Sequence, residues 1–353
     1  MSRLPGGGSL GTSAGKDMLL EDKARSDVNT PVVPAVPDRI QRPFWSVMIP
    51  TYNPRNDYLE QAIDGVLAQD WGAGEVQIEL VDDASDKFDP ASFLEKRGEP
   101  RLSCHRKRQR TGIGGNWNTC IERARGHWVH ILHQDDLVLP GFYERLGEGI
   151  AAEPELGAAF CQGYILDEEG AQGGFTTYIG QEEPGLLSDW VEHVFVGLAI
   201  QTPTIVVNRR VYETLGGFDT DLRYVVDWEM WKRIAARYPI WYEPMPLAGY
   251  RKHSSATTRA LQKTGRNLDE IRLSIDNSAA YLSPSIADDV VERTREHYTQ
   301  TALGFVWERL FVDRDLGAAL TQLRGARRIH STRMLARSAF ILARNAWNNR
   351  RKA

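Results

Sequence analysis

SVMIPTYNP, residues 46–54, is a short apolar run closed by a proline and followed by polar groups. That is the pattern of a buried strand running into a loop. The pattern recurs twice. Val76 to Val81 ends in Asp82, Asp83 and Ser85, and Trp128 to Leu132 ends in His133, Asp135 and Asp136. Between these runs, residues 57–69 place Leu59, Ile63, Val66 and Leu67 at helical spacing. Asn116 to Arg125 reads as a second helix stopped by Gly126, and 102–105 as a further strand. Strand alternating with helix predicts a parallel sheet with crossover helices. In such sheets the ligand crevice lies beyond the carboxyl ends of the strands. Thr51, Tyr52 and Asn53, Asp82 and Asp83, and Asp135 and Asp136 are therefore expected along one edge.

The second half reads as mixed. A strand over 204–208 leads to a short helix near 209–214 and a Gly216-Gly217-Phe218 turn, and residues 225–237 form an amphipathic helix with Val226, Met230 and Ile234 inward. Residues 259–353 are largely helical, with an interruption near Ser283 and Pro284. The expected division is a tail over 1–43, rich in Gly, Ser and Pro, an α/β domain over 44–258, and a helical extension over 259–353.

The 353 residues are 42% apolar and 25% charged, ordinary globular values with ample chain for a core. A net charge of -4 gives no global sign of a nucleic-acid partner. Cys104, Cys120 and Cys161 are widely spaced and odd in number, which argues against a disulfide framework or a zinc site and fits a reducing compartment. With no membrane-spanning apolar run and no signal-peptide pattern, a cytoplasmic location is expected.

The acidic strand ends suit a divalent cation, because Mn²⁺ and Mg²⁺ prefer oxygen ligands. The same Asp135-Asp136 pair could equally form a solvated turn or a helix cap. Asp82 or Asp83 could accept a hydrogen bond from a nucleobase or ribose, or close an Asx turn. Asp227, opening the 225–237 helix, could take a proton from a hydroxyl or simply stabilise the helix N-terminus. Glu229 is a second candidate base. Arg251 and His253 could face phosphate or metal, or belong to a basic surface loop. Trp117 breaks any G-x-G-x-x-G reading of Gly112 to Gly115.

Taken together, SVMIPTYNP (46–54), ELVDDAS (79–85), GGNWNTCIERARGHWVHILHQDD (114–136), GGFDTDL (216–222), VVDWEMWKR (225–233) and YRKHSSATT (250–258) resemble family 2 glycosyltransferases, inverting enzymes of the GT-A fold. The resemblance spans about Ser46 to Ser255. It implies a Rossmann-like, mostly parallel sheet flanked by helices, with the C-terminal helices as an extension. It also implies a nucleotide-sugar donor, a saccharide or lipid-linked acceptor hydroxyl, and transfer in polysaccharide or glycolipid assembly. Thr51, Tyr52, Asn53, Asp82, Asp83, Asn118, Asp135 and Arg251 would meet the donor. Asp135, Asp136, His133 and His253 would surround Mn²⁺ or Mg²⁺, Asp227 would be the base, and Gly216, Gly217 and Phe218 would shape the acceptor side. Two positions depart from the family pattern. His133 replaces the first acid of Asp-x-Asp, and Val226 replaces the Glu of Glu-Asp.

Two rivals use similar parts. A sugar-phosphate nucleotidyltransferase would need a Gly-rich basic loop after the first strand, where Thr51-Tyr-Asn-Pro-Arg55 stands. A non-catalytic sugar-nucleotide-binding domain would not need Asp227. From Arg324 onward the chain has nine Lys or Arg and no Asp or Glu, a pattern that suits a helix resting on an anionic membrane, one packed on the α/β domain with its basic face in solvent, or one docking a partner.

Overall fold

The computed structural model describes residues 30–69, 75–177, 179–253, 257–330 and 335. The chain runs β1 (Trp45–Thr51), α1 (Asn56–Leu67), β2 (Val76–Asp82), α2 (Pro90–Arg97), β3 (Leu102–Arg106), α3 (Gly112–Arg123), β4 (Trp128–Ile131), β5 (Leu137–Val138), α4 (Phe142–Ala152), β6 (Ala158–Leu166), β7 (Gln172–Phe175), β8 (Gly185–Leu186), β9 (Ile205–Asn208), α5 (Arg209–Leu215), α6 (Val226–Ala235) and β10 (Ile240–Arg251). Four further helices follow: α7 (Thr257–Thr264), α8 (Arg266–Ser278), α9 (Pro284–Trp307) and α10 (Leu316–Ile329).

The strands form one sheet in the order β3-β2-β1-β4-β9-β6-β10-β5, with β7 and β8 on its flank. The β3-β2-β1-β4 half is parallel, so Thr51, Asp82 and the turn after Ile131 reach the same edge. Beyond it, β9 runs antiparallel to both β4 and β6, and β10 returns parallel to β6. That half therefore brings Arg251, at the end of β10, toward the same edge. The fold is the expected mostly parallel α/β sheet flanked by helices.

Apolar side chains fill both faces of the sheet. Val47, Ile49, Leu59 and Ile63 pack on one side. Met48, Val81, Trp117, Phe218, Trp228 and Trp231 pack on the other, where the core continues into α8, α9 and α10 through Leu268, Ile271, Val290 and Tyr298. The helical extension therefore shares the core of the α/β region. Burial of side chains this large contributes about 1.5–3 kcal/mol each.

Three boundaries shift. The helix expected from Asn116 begins at Gly112, whose φ of +80° a glycine tolerates. The strand read over 204–208 starts at Ile205, after a 3₁₀ turn over Thr202–Thr204. Residues 30–43, assigned to the tail, are packed: Val33 is buried, Pro31 O accepts from Gly217 N, and Arg209 donates to Pro34 O at 3.0 Å. Segments 1–29 and most of 324–353 lie outside the described residues.

Candidate active site

A cleft of about 610 Å³ opens at the shared sheet edge. It is lined by Thr51, Tyr52 and Asn53 after β1, Asp83 after β2, His133 and Asp135 after β4, Asp227 at the start of α6, and Arg251 and His253 at the end of β10. Asp83, Asp135 and Asp227, far apart in sequence, thus face one space.

Asp83 is held firmly. One carboxylate oxygen accepts from Thr111 N at 2.9 Å and pairs with Lys107 at 3.0 Å, and the other accepts from Gly112 N at 2.8 Å. It caps α3 from outside, satisfying amide donors that a helix start leaves open. Tyr52 is tied through its amide to Gln134, and the Arg110 guanidinium lies 3.8 Å over its ring. Asn53 adopts φ +45° and braces the loop, its side chain bridging Asp86 and Lys87 N.

The turn after β4 is a cluster of interlocked ionisable groups. The candidate ligand atoms of His133, Asp135 and Asp136 all lie within 4.8 Å of one another. His133 stacks on Trp117 and shares Nδ1 with Asp136 at 3.0 Å, while its buried Nε2 has no hydrogen-bond partner among the described residues. His253 Nε2 meets Asp135 at 2.6 Å. Burial works against the charged forms of His133 and Asp135. The neighbouring carboxylates nevertheless raise the imidazole, and His253 together with His133 lowers Asp135. Burial, aided by the charge of Asp135, raises Asp136.

Asp227 sits in the first turn of α6. Burial pushes its carboxyl above the usual range, against the Trp228 amide at 2.8 Å, the nearby His133 and the Thr202 hydroxyl at 3.3 Å. A raised carboxyl is closer to what a general base near neutral pH requires. The segment before α6 is held from the helical extension: the Glu270 carboxylate on α8 accepts from the amides of Arg223 (2.8 Å), Tyr224 (2.6 Å) and Val225 (3.4 Å).

Several expected site residues have other duties. Asp82 is fully buried below the edge, accepting from Thr51, Ser85 Oγ and Ser85 N. Asn118 does not line the cleft. Its amide clasps the Phe218 main chain in both directions, at 2.9 and 2.7 Å. Gly216, Gly217 and Phe218 do not face the cleft either, because Phe218 is a core residue and a Cβ on Gly217 would stand 2.3 Å from Asn118 Oδ1. Asp136 is buried between His133 and the Arg251 amide rather than exposed to the cleft. Arg251 lines the cleft, but its fork is engaged by Asp135 O and Gln61. Glu229 does not line the cleft: it lies buried in a bidentate pair with Arg233 and accepts from Tyr281.

Sequence reading missed Gln134, Thr202, Arg110, Arg223 and Glu270. Arg110 closes a basic run from Arg106, a signal that could have flagged it. Glu270 gives no local signal, since its partners lie 45–47 residues away.

A carboxylate-lined cleft thus lies at the carboxyl edge of a mostly parallel sheet, where such sheets bind their ligands. Residues 46–202 match the description Glycosyl transferase family 2. The chain is 31% identical over 244 residues to an uncharacterized protein of Mycobacterium tuberculosis, covering 66% of this chain and 75% of that one. Over 121 residues it is 31% identical to a succinoglycan biosynthesis protein of Rhizobium meliloti, 34% of this chain and 32% of that protein. Among solved structures, Staphylococcus aureus TarS with UDP-GlcNAc superposes with a TM-score of 0.57 at 13% identity, covering 81% of this chain and 90% of that one. A Pyrobaculum calidifontis mannosyltransferase with GDP-Man and Mn²⁺ gives 0.53 at 19% identity, with coverages of 91% and 83%. This chain belongs to the family 2 glycosyltransferases. That membership sets aside the nucleotidyltransferase reading. No helix among the described residues is long and apolar enough to cross a membrane.

Proposed function

We propose that the chain transfers a sugar, with inversion, from a nucleoside-diphosphate sugar to an acceptor hydroxyl, with Asp227 as the base. The observation that carries this is the convergence of Asp83, Asp135 and Asp227 on one cleft. In this reading Asp83, rigidly capped by α3, presents its remaining lone pairs to the nucleoside, and Tyr52 under Arg110 offers the neighbouring surface. Arg110 and Arg223 line the cleft with exposed guanidinium groups suited to diphosphate charge. Asp227, its carboxyl raised by burial, takes the hydroxyl proton as the acceptor oxygen bonds to the anomeric carbon and the diphosphate leaves from the opposite face.

The chemistry of the turn after β4 fits a divalent cation. It offers the Asp135 carboxylate and the buried Nε2 of His133, partnerless among the described residues, with Asp136 and His253 beside them. Bound there, Mn²⁺ or Mg²⁺ would supply charge to stabilise the leaving diphosphate. A place in polysaccharide assembly is supported by the partial likeness to the succinoglycan protein.

The test is a panel of nucleotide sugars scored for release of free nucleoside diphosphate, with and without a chelator. Release by the native chain, suppressed by chelation and restored by Mn²⁺ or Mg²⁺, is the expected result. Full activity in excess chelator overturns the metal assignment. Binding without any turnover, across donors and acceptors, overturns the catalytic reading in favour of a sugar-nucleotide-binding domain.

A further inference from the structure

The far end of the helical extension carries an apolar surface remote in sequence from the cleft residues. Trp307 is 59% exposed, Phe311 62%, Val312 60% and Leu316 61%, with Leu320 and Leu323 also exposed. Scattered apolar residues are normal on a protein surface, but a contiguous group is not. Contiguity here follows from the fold. Trp307 ends α9, and its ring lies 5.6 Å from that of Phe311 in the π-helical segment Glu308–Val312. That segment packs on α10, and Asp315 N donates to Arg309 O where α10 begins. On α10, residues 316, 320, 323 and 327 are separated by steps of four, three and four, so they share one face. Leu316, Leu320 and Leu323 therefore form a stripe that ends at Arg327.

Arg327 also lines an open cavity of about 400 Å³ together with Arg272, Arg295, Arg328 and His330, against one acid, Asp276. Asp276 is shared by Arg272 and Arg295, and Arg328 pairs with Asp269. Among the described residues, Arg324 and Arg327 have no carboxylate within ion-pair distance, and both are exposed. The acids beside the apolar stripe are already engaged. Glu308 and Asp313 pair with the buried Arg309, and Asp315 caps α10 through Ala318 N. The sequence continues the same sign of charge, with nine Lys or Arg and no Asp or Glu from Arg324 to the end.

We infer that this face of α9 and α10 is an interfacial surface that seats the enzyme on an anionic lipid bilayer. The aromatic and leucine side chains would enter the headgroup boundary while the arginines at the end of the stripe meet lipid phosphates. An apolar face bordered by cations, with aromatics among the apolar residues, is the composition that partitions into a charged bilayer surface. A second copy of the chain would gain from the apolar stripe but not from the uncompensated positive charge at its end. The charge therefore selects the lipid occupant. This inference is independent of which residue in the cleft acts as base.

The test uses the full chain and sedimentation with vesicles of phosphatidylcholine alone or mixed with phosphatidylglycerol. The native chain is expected to sediment only with the anionic vesicles and to be released by salt. Arg327→Ala should weaken partitioning about five-fold, the factor corresponding to about 1 kcal/mol per surface cation. The double substitution Phe311→Glu with Leu316→Glu should abolish it, while circular dichroism and donor hydrolysis stay at native levels because both positions are exposed and outside the cleft. Equal binding to neutral and anionic vesicles overturns the inference. So does undiminished binding by the double variant, which would leave the face unused. A native dimer that the double variant converts to monomer, without vesicle binding by either, assigns the face to a second copy and also overturns it.

Discussion

The cleft has two walls, and they are held by different means. On the wall formed by strand ends, Thr51, Tyr52, Asp83 and Asp135 sit on short turns whose positions follow from the parallel register of β1, β2 and β4. Their restraints come from within the α/β domain: Thr111, Lys107 and Gly112 for Asp83, and His253 for Asp135. Opposite them, Arg223, Tyr224 and Asp227 sit on a loop and a helix start that no strand fixes. There Thr202 holds Asp227 and Val194 O holds the Trp228 indole, and further restraint is imported from the helical extension. Glu270 holds three amides of 223–225, and buried Lys232 on α6 donates to Ser274 and Ser278 on α8 while lying 3.3 Å over the Trp228 ring. Burial pushes that ammonium well below its ordinary range. The comparison teaches that one half of the site is set by sheet topology and the other leans in part on helices that contribute no residue to the sheet.

The largest expected effect tests whether the helical wall carries the chemistry. Asp227→Asn should lower transfer by about 10³-fold, within the range for loss of a general base, while donor binding measured by calorimetry is retained. Native turnover in that variant would leave the helical wall without its proposed role.

Glu270→Ala separates position from chemistry. It should cut kcat about ten-fold, equivalent to about 1.4 kcal/mol, with little change in donor KM, because the strand-end wall is untouched. Glu270→Gln, which can still accept from the amides, should recover part of the loss. A donor KM that rises as much as kcat falls would show that the two walls are not separately supported.

A pH profile sharpens the assignment further. The Asp227 carboxyl is raised by burial, and a base must be ionised to work. Activity should therefore be lost as pH falls through this raised value, above the ordinary carboxylate pKa of about 4. The same acidic limb should be absent from whatever residual rate Asp227→Asn retains.

The smallest effect belongs to the strand-end wall. Arg110→Ala removes the guanidinium over Tyr52 and should raise donor KM a few-fold, since an exposed cation–π contact is worth about 0.5–1 kcal/mol. A change confined to kcat would move Arg110 to the other side of the comparison.

The difference between the walls also explains what could be read from the chain. Strand-end residues were legible because a buried strand announces its own end: an apolar run stops and a polar group follows, so Asp83 and Asp135 were found from local pattern. Asp227 was legible from its place at a helix start. Side-chain duty was less so. Asn118 and Arg251 are polar residues close in sequence to other site residues, yet hydrogen-bond partners 100 and 116 residues away claim them. The Gly216–Phe218 turn likewise packs on the amide of Asn118, a partner far off in the sequence. Pairings of that separation are decided by the packed fold and leave no periodic trace.

Arg251 fixes which part of the cleft can give way. Its amide holds the Asp136 carboxylate, its side chain holds the Asp135 carbonyl, and the same guanidinium reaches α1 through Gln61 and lies 4.3 Å from the Tyr58 ring centroid. One residue thus rivets the acidic turn to the last strand and to the first helix at once. In the proposed reading a bulky acceptor would be accommodated by the loop ahead of α6, which Glu270 holds through three amides and Gln262 through the Tyr224 hydroxyl. Substrate breadth in this enzyme would accordingly be tuned from the C-terminal helices, with the acidic turn acting as the fixed jaw.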